Sequence, residues 1–377
     1  MNKYNQSYFL PVSILFSDII PENAHDFVDE PDDYLLVICD AVARFYPSIA
    51  NAFSERIVIS SSNSNYPALK NLEAIKLPAK KHIIGIGGGS VLDTAKALFA
   101  KKISNDDVLL ADLLKNPALL DHAQTERQAH ELVLVPTTFG TSSEITKWGT
   151  IWDWEKKIKY SLSHELLFAD RALVFPELAA TLPARVIAET GLDVFSHGLE
   201  SYWNKSSNFM TRHFALESMR LCLEFLPGVV QKEDDPIGRS QVARASVYAG
   251  MSFSQTRTAT AHAISYPLTL FHGISHGIAC SITLGELFEE VFEDHQVLLQ
   301  PVLSLIQGIY GTSDASFQTC FLKFYKDCMI SPKLRDHGVA KSDLPSIADN
   351  SYHEGRSGNM VSDIDKNGIL KILHNVF

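Results

Sequence analysis

Residues 82–96 read His-Ile-Ile-Gly-Ile-Gly-Gly-Gly-Ser-Val-Leu-Asp-Thr-Ala-Lys, and this stretch decides the fold. The run His82–Ile86 is apolar at successive rather than alternate positions, as in a strand covered by helices on both faces. It passes directly into Gly87-Gly88-Gly89-Ser90, after which Val91–Lys96 supplies helix formers. Glycines between a strand and a helix let backbone N–H groups approach a phosphate at the positive end of the helix dipole. The strict pattern G-x-G-x-x-G is not met: Gly85 and Gly87 fit, but Ser90 takes the third place. A tight strand-to-helix turn needs only one glycine at positive φ, so three in succession point to phosphate binding.

Outward from this core, Tyr34–Asp40, Arg56–Ser60, Leu132–Pro136 and Ala172–Pro176 are further short apolar runs separated by helical stretches. Strands alternating with helices predict an α/β domain built on a parallel sheet. After Thr181-Leu182-Pro183 the character changes. Ala184–Trp203, Asn208–Leu226 and Arg239–Phe253 read as helices, with Gln231–Gly238 a polar turn, and β-rich runs largely disappear. The expected organisation is a nucleotide-binding domain over residues 1–182 and an all-helical domain over residues 183–377. Residues 333–363 read as a polar, loop-like stretch.

The chain has 377 residues, 46% hydrophobic and 20% charged, with a formal net charge of −11. That balance fits a soluble globular protein and argues against a nucleic-acid partner, which requires a cationic surface. Five scattered cysteines without a CxxC pair read as free thiols in a reducing compartment. No membrane-length apolar run and no leader pattern stand in the sequence, so the expected location is cytoplasmic.

Three further features bear on chemistry. The loop Thr137-Thr138-Phe139-Gly140-Thr141-Ser142-Ser143-Glu144 follows a strand, where small and hydroxylated residues suit either ligand contact or a helix cap. Asp40 ends a strand and could accept hydrogen bonds from an adenosine ribose, favouring NAD over NADP, or simply cap a helix. Asp193 and His197 are spaced i, i+4 on one helix face, and His262, His272 and His276 follow downstream. One carboxylate with imidazoles suits Fe²⁺ or Zn²⁺ better than Mg²⁺ or Ca²⁺.

In combination, these residues resemble the iron-containing (group III) alcohol dehydrogenase family. The resemblance rests on Gly87-Gly88-Gly89-Ser90-x-x-Asp93-x-Ala95-Lys96, Pro136-Thr137-Thr138-x-Gly140-Thr141-x-Ser143-Glu144 and Gly191-Leu192-Asp193-x₃-His197-x₂-Glu200. It also rests on Ala249-Gly250-Met251-x-Phe253-Ser254, His262-Ala263-x-Ser265-x-Pro267-Leu268 and His276-Gly277, all in the family's order. The family implies a Rossmann-like N-terminal domain and an all-helical C-terminal domain of the dehydroquinate synthase-like fold, with a nicotinamide cofactor and one divalent metal between them. By resemblance the metal ligands fall on Asp193, His197, His262 and His276, with Fe²⁺ expected and Zn²⁺ as the alternative. Cofactor contacts fall on Gly87, Gly88, Gly89, Ser90, Asp93, Thr137, Thr138, Thr141 and Lys159. Asp40 falls where NAD-preferring members carry an aspartate, NADP remaining the alternative.

The departures are informative. Tyr266 replaces a histidine common four residues after the third ligand, which leaves His272, a water chain or a ribose hydroxyl to carry the proton. Arg257, Lys147 and Trp148 stand where small or neutral residues are common, and with Lys147–Leu162 they resemble the phosphonoacetaldehyde reductase subgroup. A guanidinium at Arg257, seconded by Lys147, would pair with a phosphonate through charge-assisted hydrogen bonds, although Arg257 could instead brace the domain cleft. The implied activity is NAD(P)H-linked reduction of phosphonoacetaldehyde to 2-hydroxyethylphosphonate. A general primary-alcohol or lactaldehyde-type reductase is the alternative and a dehydroquinate synthase-like lyase a remote one. The family also suggests a homodimer or higher homo-oligomer, with no membrane partner.

Overall fold

The computed structural model describes residues 7–60, 69–78, 82–104, 108–153, 156–232, 234–311, 313–352 and 357–377. Trp154 and Glu155, part of the subgroup phrase, lie outside the described residues, as does Glu233 of the polar turn. The chain divides into two compact units. One comprises Leu10–Thr138 and Ser142–Thr181; the other comprises Leu182–Phe377 together with Phe139–Thr141 and Ser7–Phe9.

The first unit is built on strands β1 (Ser13–Phe16), β2 (Tyr34–Cys39), β3 (Arg56–Ile59), β4 (His82–Gly87), β5 (Leu132–Pro136) and β8 (Arg171–Val174). They form one sheet in the order β1-β8-β5-β4-β2-β3, and every pairing is parallel. Leu36, Ile38, Ile84, Ile86, Val133, Val135 and Leu173 cluster on one face with Phe27, Ile49 and Phe53. On the other face the helix Gly89–Ile103 lies against Gly85, where a Cβ would stand 2.9 Å from that of Ala95. Both faces are therefore covered, as the continuous apolar runs require.

The sequence reading missed three strands. β1 is a four-residue edge strand, half exposed along its length, and its apolar run Ile14–Phe16 is only three residues long. The strands β6 (Trp148–Asp153) and β7 (Ile158–Ser163) form an antiparallel hairpin of their own, in a stretch mixed with lysines and hydroxyls.

The second unit is helical. Its long members are Ala184–Tyr202, Phe209–Gln231 and Pro236–Thr256, followed by Thr260–His272 and His276–Ser281. Phe209–Gln231 starts on an Asn208 capping box, with the Asn208 side chain accepting from Met210 N and Thr211 N. It runs past the expected end at Leu226 despite Pro227, which removes one internal hydrogen bond without stopping the helix. The stretch read as loop-like contains the helix Leu344–Ser351, whose Leu344, Ile347 and Ala348 are buried at helical spacing. Among the described residues, no helix is long and apolar enough to cross a membrane.

Candidate functional site

In the α/β unit, strand order reverses between β2 and β4: the chain leaves β2 for β3 on one side and returns to β4 on the other. Ligands of open parallel sheets bind outside the carboxyl ends of the strands at such a switch point. Asp40 lies at the end of β2 and begins the helix Asp40–Phe45, its Oδ1 accepting Ala41 N–H at 2.7 Å. Gly87 and Gly88 lie at the end of β4, and Thr137 N–H, just past β5, donates to the Gly87 carbonyl at 3.0 Å.

The glycines serve close approach rather than turn geometry, because none of those from Gly85 to Gly89 takes a positive φ. A Cβ on Gly87 would fall 2.7 Å from Val91 Cβ, and one on Gly88 would fall 3.0 Å from Thr138 Oγ1. Gly88 is the N-cap of Gly89–Ile103, and no described side chain caps that end, which leaves its first N–H groups for a ligand. Ser90 is held within the first turn, its carbonyl accepting from Thr94 Oγ1 at 2.7 Å.

Both Asp93 carboxylate oxygens are engaged within the chain. Its Oδ1 accepts Ser143 Oγ at 2.7 Å and its Oδ2 accepts Thr150 N at 2.8 Å, so its carboxylate fastens the loop and hairpin to the helix. One turn on, fully buried Lys96 donates to the carbonyls of Thr146 and Trp148, each at 2.6 Å. Burial lowers the Lys96 ammonium to about 8, against the opposing pull of Asp93. Burial likewise raises the Glu144 carboxyl to about 7. Lys147 ion-pairs with Glu165, and Lys159 places its ammonium 5.1 Å from the Trp152 ring centroid. Thr138 is half-buried, while Thr141 groups with the helical unit.

In the helical unit, Ala184–Tyr202 carries Asp193 and His197 one turn apart, both buried. His197 Nδ1 lies 3.2 Å from the Gly140 carbonyl, and its ring stacks on Phe253 at 4.1 Å between centroids. His262 Nδ1 lies 2.7 Å from Glu200 Oε2. Each Nδ1 thus faces an acceptor, which assigns the ring proton there and turns both Nε2 lone pairs inward. The two Nε2 atoms are 3.1 Å apart, an arrangement favourable around a cation.

Burial holds the His197 imidazole neutral, its pKa lowered to about 4. Burial alone would raise the Asp193 carboxyl, but His197, His262 and His276 outweigh it and hold the group below the usual carboxylate range. Asp193 Oδ1 is buried, accepts no hydrogen bond, and lies 3.6 Å from His262 Nε2. A buried carboxylate oxygen without a donor, beside imidazole nitrogens, fits a divalent metal.

The donor atoms of Asp193, His262, His276 and Cys280 all lie within 4.8 Å of one another, and His197 adjoins this group through His262. Sequence reasoning passed over Cys280, although His276-x₃-Cys280 is a same-face spacing like that of Asp193 and His197. It also passed over Glu200, which was part of a quoted motif but given no role.

Arg257 is exposed and caps Pro236–Thr256 at φ 68° and ψ 177°, a backbone region essentially reserved for glycine. Its carbonyl accepts from Asn204 Nδ2 at 3.3 Å, and the next carbonyl, Thr258, from Asn359 Nδ2 at 2.9 Å. Tyr266 is buried one turn beyond His262. His272 ends the same helix, its Nδ1 3.9 Å from Asp343 Oδ2.

Residues 187–377 match the profile described as the Fe-containing alcohol dehydrogenase family, C-terminal, and residues 12–176 that described as iron-containing alcohol dehydrogenase. The phosphonoacetaldehyde reductase of Streptomyces viridochromogenes is 35% identical over 205 residues, or 54% of this chain and 51% of that protein. The chain therefore spans about half the length of that relative. The sulfoacetaldehyde reductase of Bilophila wadsworthia is 30% identical over 280 residues, 72% of this chain and 70% of that protein. Among solved structures, the sulfoacetaldehyde reductase of Bifidobacterium kashiwanohense in complex with NAD⁺ has a TM-score of 0.83 at 24% identity, covering 98% of each chain. That is a likeness of fold.

Proposed function

Because this chain belongs to the iron-containing alcohol dehydrogenase family, we propose that it is a metal-dependent, NAD-linked aldehyde reductase and alcohol dehydrogenase. Its substrate is phosphonoacetaldehyde, reduced to 2-hydroxyethylphosphonate. The observation that carries the catalytic reading is the inward-facing Nε2 pair of His197 and His262 beside the donorless Oδ1 of Asp193.

Asp193, His197, His262 and His276 would hold the divalent metal, Fe²⁺ or Zn²⁺. When bound, such a metal supplies a Lewis acid that stabilises negative charge developing on the aldehyde oxygen. The nicotinamide, when bound, supplies the hydride, and one proton completes the alcohol.

The chain's own residues bind and orient. The uncapped N–H groups from Gly89 onward would take the cofactor pyrophosphate, with Thr137 and Thr138 alongside. The Asp40 carboxylate at the end of β2 would take the adenosine ribose, favouring NAD. Phe253, stacked on His197, fixes that ring and keeps water from it. His272, with Nδ1 toward Asp343, is the proposed proton carrier, and Tyr266 shapes the wall beside His262.

The substrate class rests on Arg257 and on relatives named for C2 aldehydes that end in an anion. Arg257 would pair with the phosphonate, its strained backbone fixing where the guanidinium starts. Lys147, already paired with Glu165, would add only long-range attraction, and Trp148 would complete the surface near it. Arg257→Ala should raise KM for phosphonoacetaldehyde by about 10- to 100-fold, as expected for a lost charge-assisted bond, and leave propanal unchanged. Equal effects on both substrates, measured by NADH oxidation, would assign the chain to the general primary-alcohol class instead.

A further inference from the structure

Cys280 has surroundings that a packing thiol does not need. It stands one turn after His276 on the helix His276–Ser281, so both side chains share a face. Its Sγ lies 3.6 Å from Nδ1 and 3.5 Å from Nε2 of His276, and the residue is fully buried. A cysteine kept for its bulk behaves as a small hydrophobe and needs no polar partner. This one sits in a set of one carboxylate and two imidazoles whose donor atoms close within 4.8 Å.

That span is close to what a single ion allows. A sulfur bond of about 2.3 Å and a nitrogen or oxygen bond of about 2.1 Å reach at most about 4.4 Å across a metal, so the set must draw in by at least a few tenths of an ångström as the ion binds. The approach is built into the backbone. A Cβ on Gly277 would fall 1.7 Å from the Glu189 carbonyl oxygen and 3.3 Å from Asp193 Cβ. Any side chain at 277 would drive the helix, with His276 and Cys280, away from Asp193. Independently, Asp193 Oδ1 is buried and accepts no hydrogen bond.

We propose that Cys280 is a thiolate ligand of the metal centre, added to the aspartate and histidines, and that it shifts the centre's preference from iron(II) toward zinc. The proposal rests on the reading of Asp193, His262 and His276 as metal ligands. On coordination the thiol releases its proton to solvent and the sulfur lone pair binds the ion, with no redox change. Thiolate is a soft ligand that favours zinc, whereas carboxylate and imidazole alone discriminate less.

The test uses cobalt(II) loaded into the full-length protein after chelator treatment. The wild type should show visible ligand-field bands together with a near-ultraviolet thiolate-to-cobalt charge-transfer band. Cys280→Ala and Cys280→Ser should keep the ligand-field bands and lose the charge-transfer band. Under anaerobic competition for equal zinc and iron(II), metal analysis should show the zinc preference of both variants reduced by about 10-fold. Ligand-field bands without charge transfer in the wild type would overturn the thiolate ligand and leave the metal centre standing. A wild type that takes up no cobalt at all would overturn both readings.

Discussion

Glu200 does more for the centre than its place behind it suggests. It is fully buried, and its carboxylate accepts Ala259 N at 2.8 Å and Ala261 N at 2.6 Å while facing His262 Nδ1. One side chain therefore caps the helix that carries His262 and fixes that ring's proton on Nδ1, which leaves the Nε2 lone pair for the proposed metal. Glu200→Gln keeps one oxygen for Ala261 N–H but turns its amide N–H₂ toward both the ring and Ala259 N–H. It should lower metal affinity by about 10- to 100-fold in competition with a chelating dye, and cost the metal-free protein about 1–3 kcal/mol for the unpaired Ala259 N–H. Unchanged affinity would reduce Glu200 to a helix cap. At this scale Asp193 and His197 were legible because their spacing lies within one helix. Cys280 carried the same i, i+4 signal from His276 and was passed over, whereas what Glu200 does depends on a contact between helices that spacing does not encode.

The helix Gly89–Ile103 holds the hairpin and its loop through charges it has buried. Asp93 and Lys96 reach from the helix to the residue 143–150 segment, and Glu144 lies buried beside them with Oε1 accepting no hydrogen bond. Burial raises the Glu144 carboxyl from 4.5 to about 7, so the unfolded chain ionises there first. Its contribution is whole below pH 4.5 and is lost as pH rises through about 7. The Lys96 cost, with its pKa lowered to about 8, persists below that pH and fades only above it. His197, lowered to about 4, gains stability over pH 4 to 6.5 in the opposite sense, so the Glu144 effect is read as a difference between proteins. From pH 5 to 7 the wild type should lose stability relative to Glu144→Gln in urea titrations, by on the order of 3 kcal/mol at most, and parallel curves would place the titration elsewhere. The strand–glycine–helix element was legible from its apolar run and glycines. The purpose of the glycines was not, since close packing against Val91, Ala95 and Thr138 is a tertiary fact. The hairpin escaped notice although Ile158, Tyr160 and Leu162 alternate with Lys159, Ser161 and Ser163, because its partner strand Trp148–Asp153 has no matching alternation.

For the whole molecule, a net charge of −11 describes the surface, and the proposed chemistry depends on local exceptions to it. These are an uncapped helix N-terminus, the metal ligands and Arg257. The change from α/β to helical character near residue 182 could be read from composition, because it alters the period of every later element. The grouping of Phe139–Thr141 with the helical unit could not be read. It follows from contacts: the Gly140 carbonyl faces His197 Nδ1, and a Cβ on Gly140 would stand 2.9 Å from Thr190 Cβ. Metal bound by the native state alone should also stabilise the protein, by about 2.7 kcal/mol at a hundredfold excess over Kd. The most direct measurement is NADH oxidation with phosphonoacetaldehyde and with propanal, in protein stripped by chelator and then reloaded with Fe²⁺ or Zn²⁺. Stripped protein should be inactive, and reloaded protein should turn over phosphonoacetaldehyde with the higher kcat/KM. Undiminished turnover without metal, or no oxidation of NADH by any aldehyde after reloading, would contradict the account.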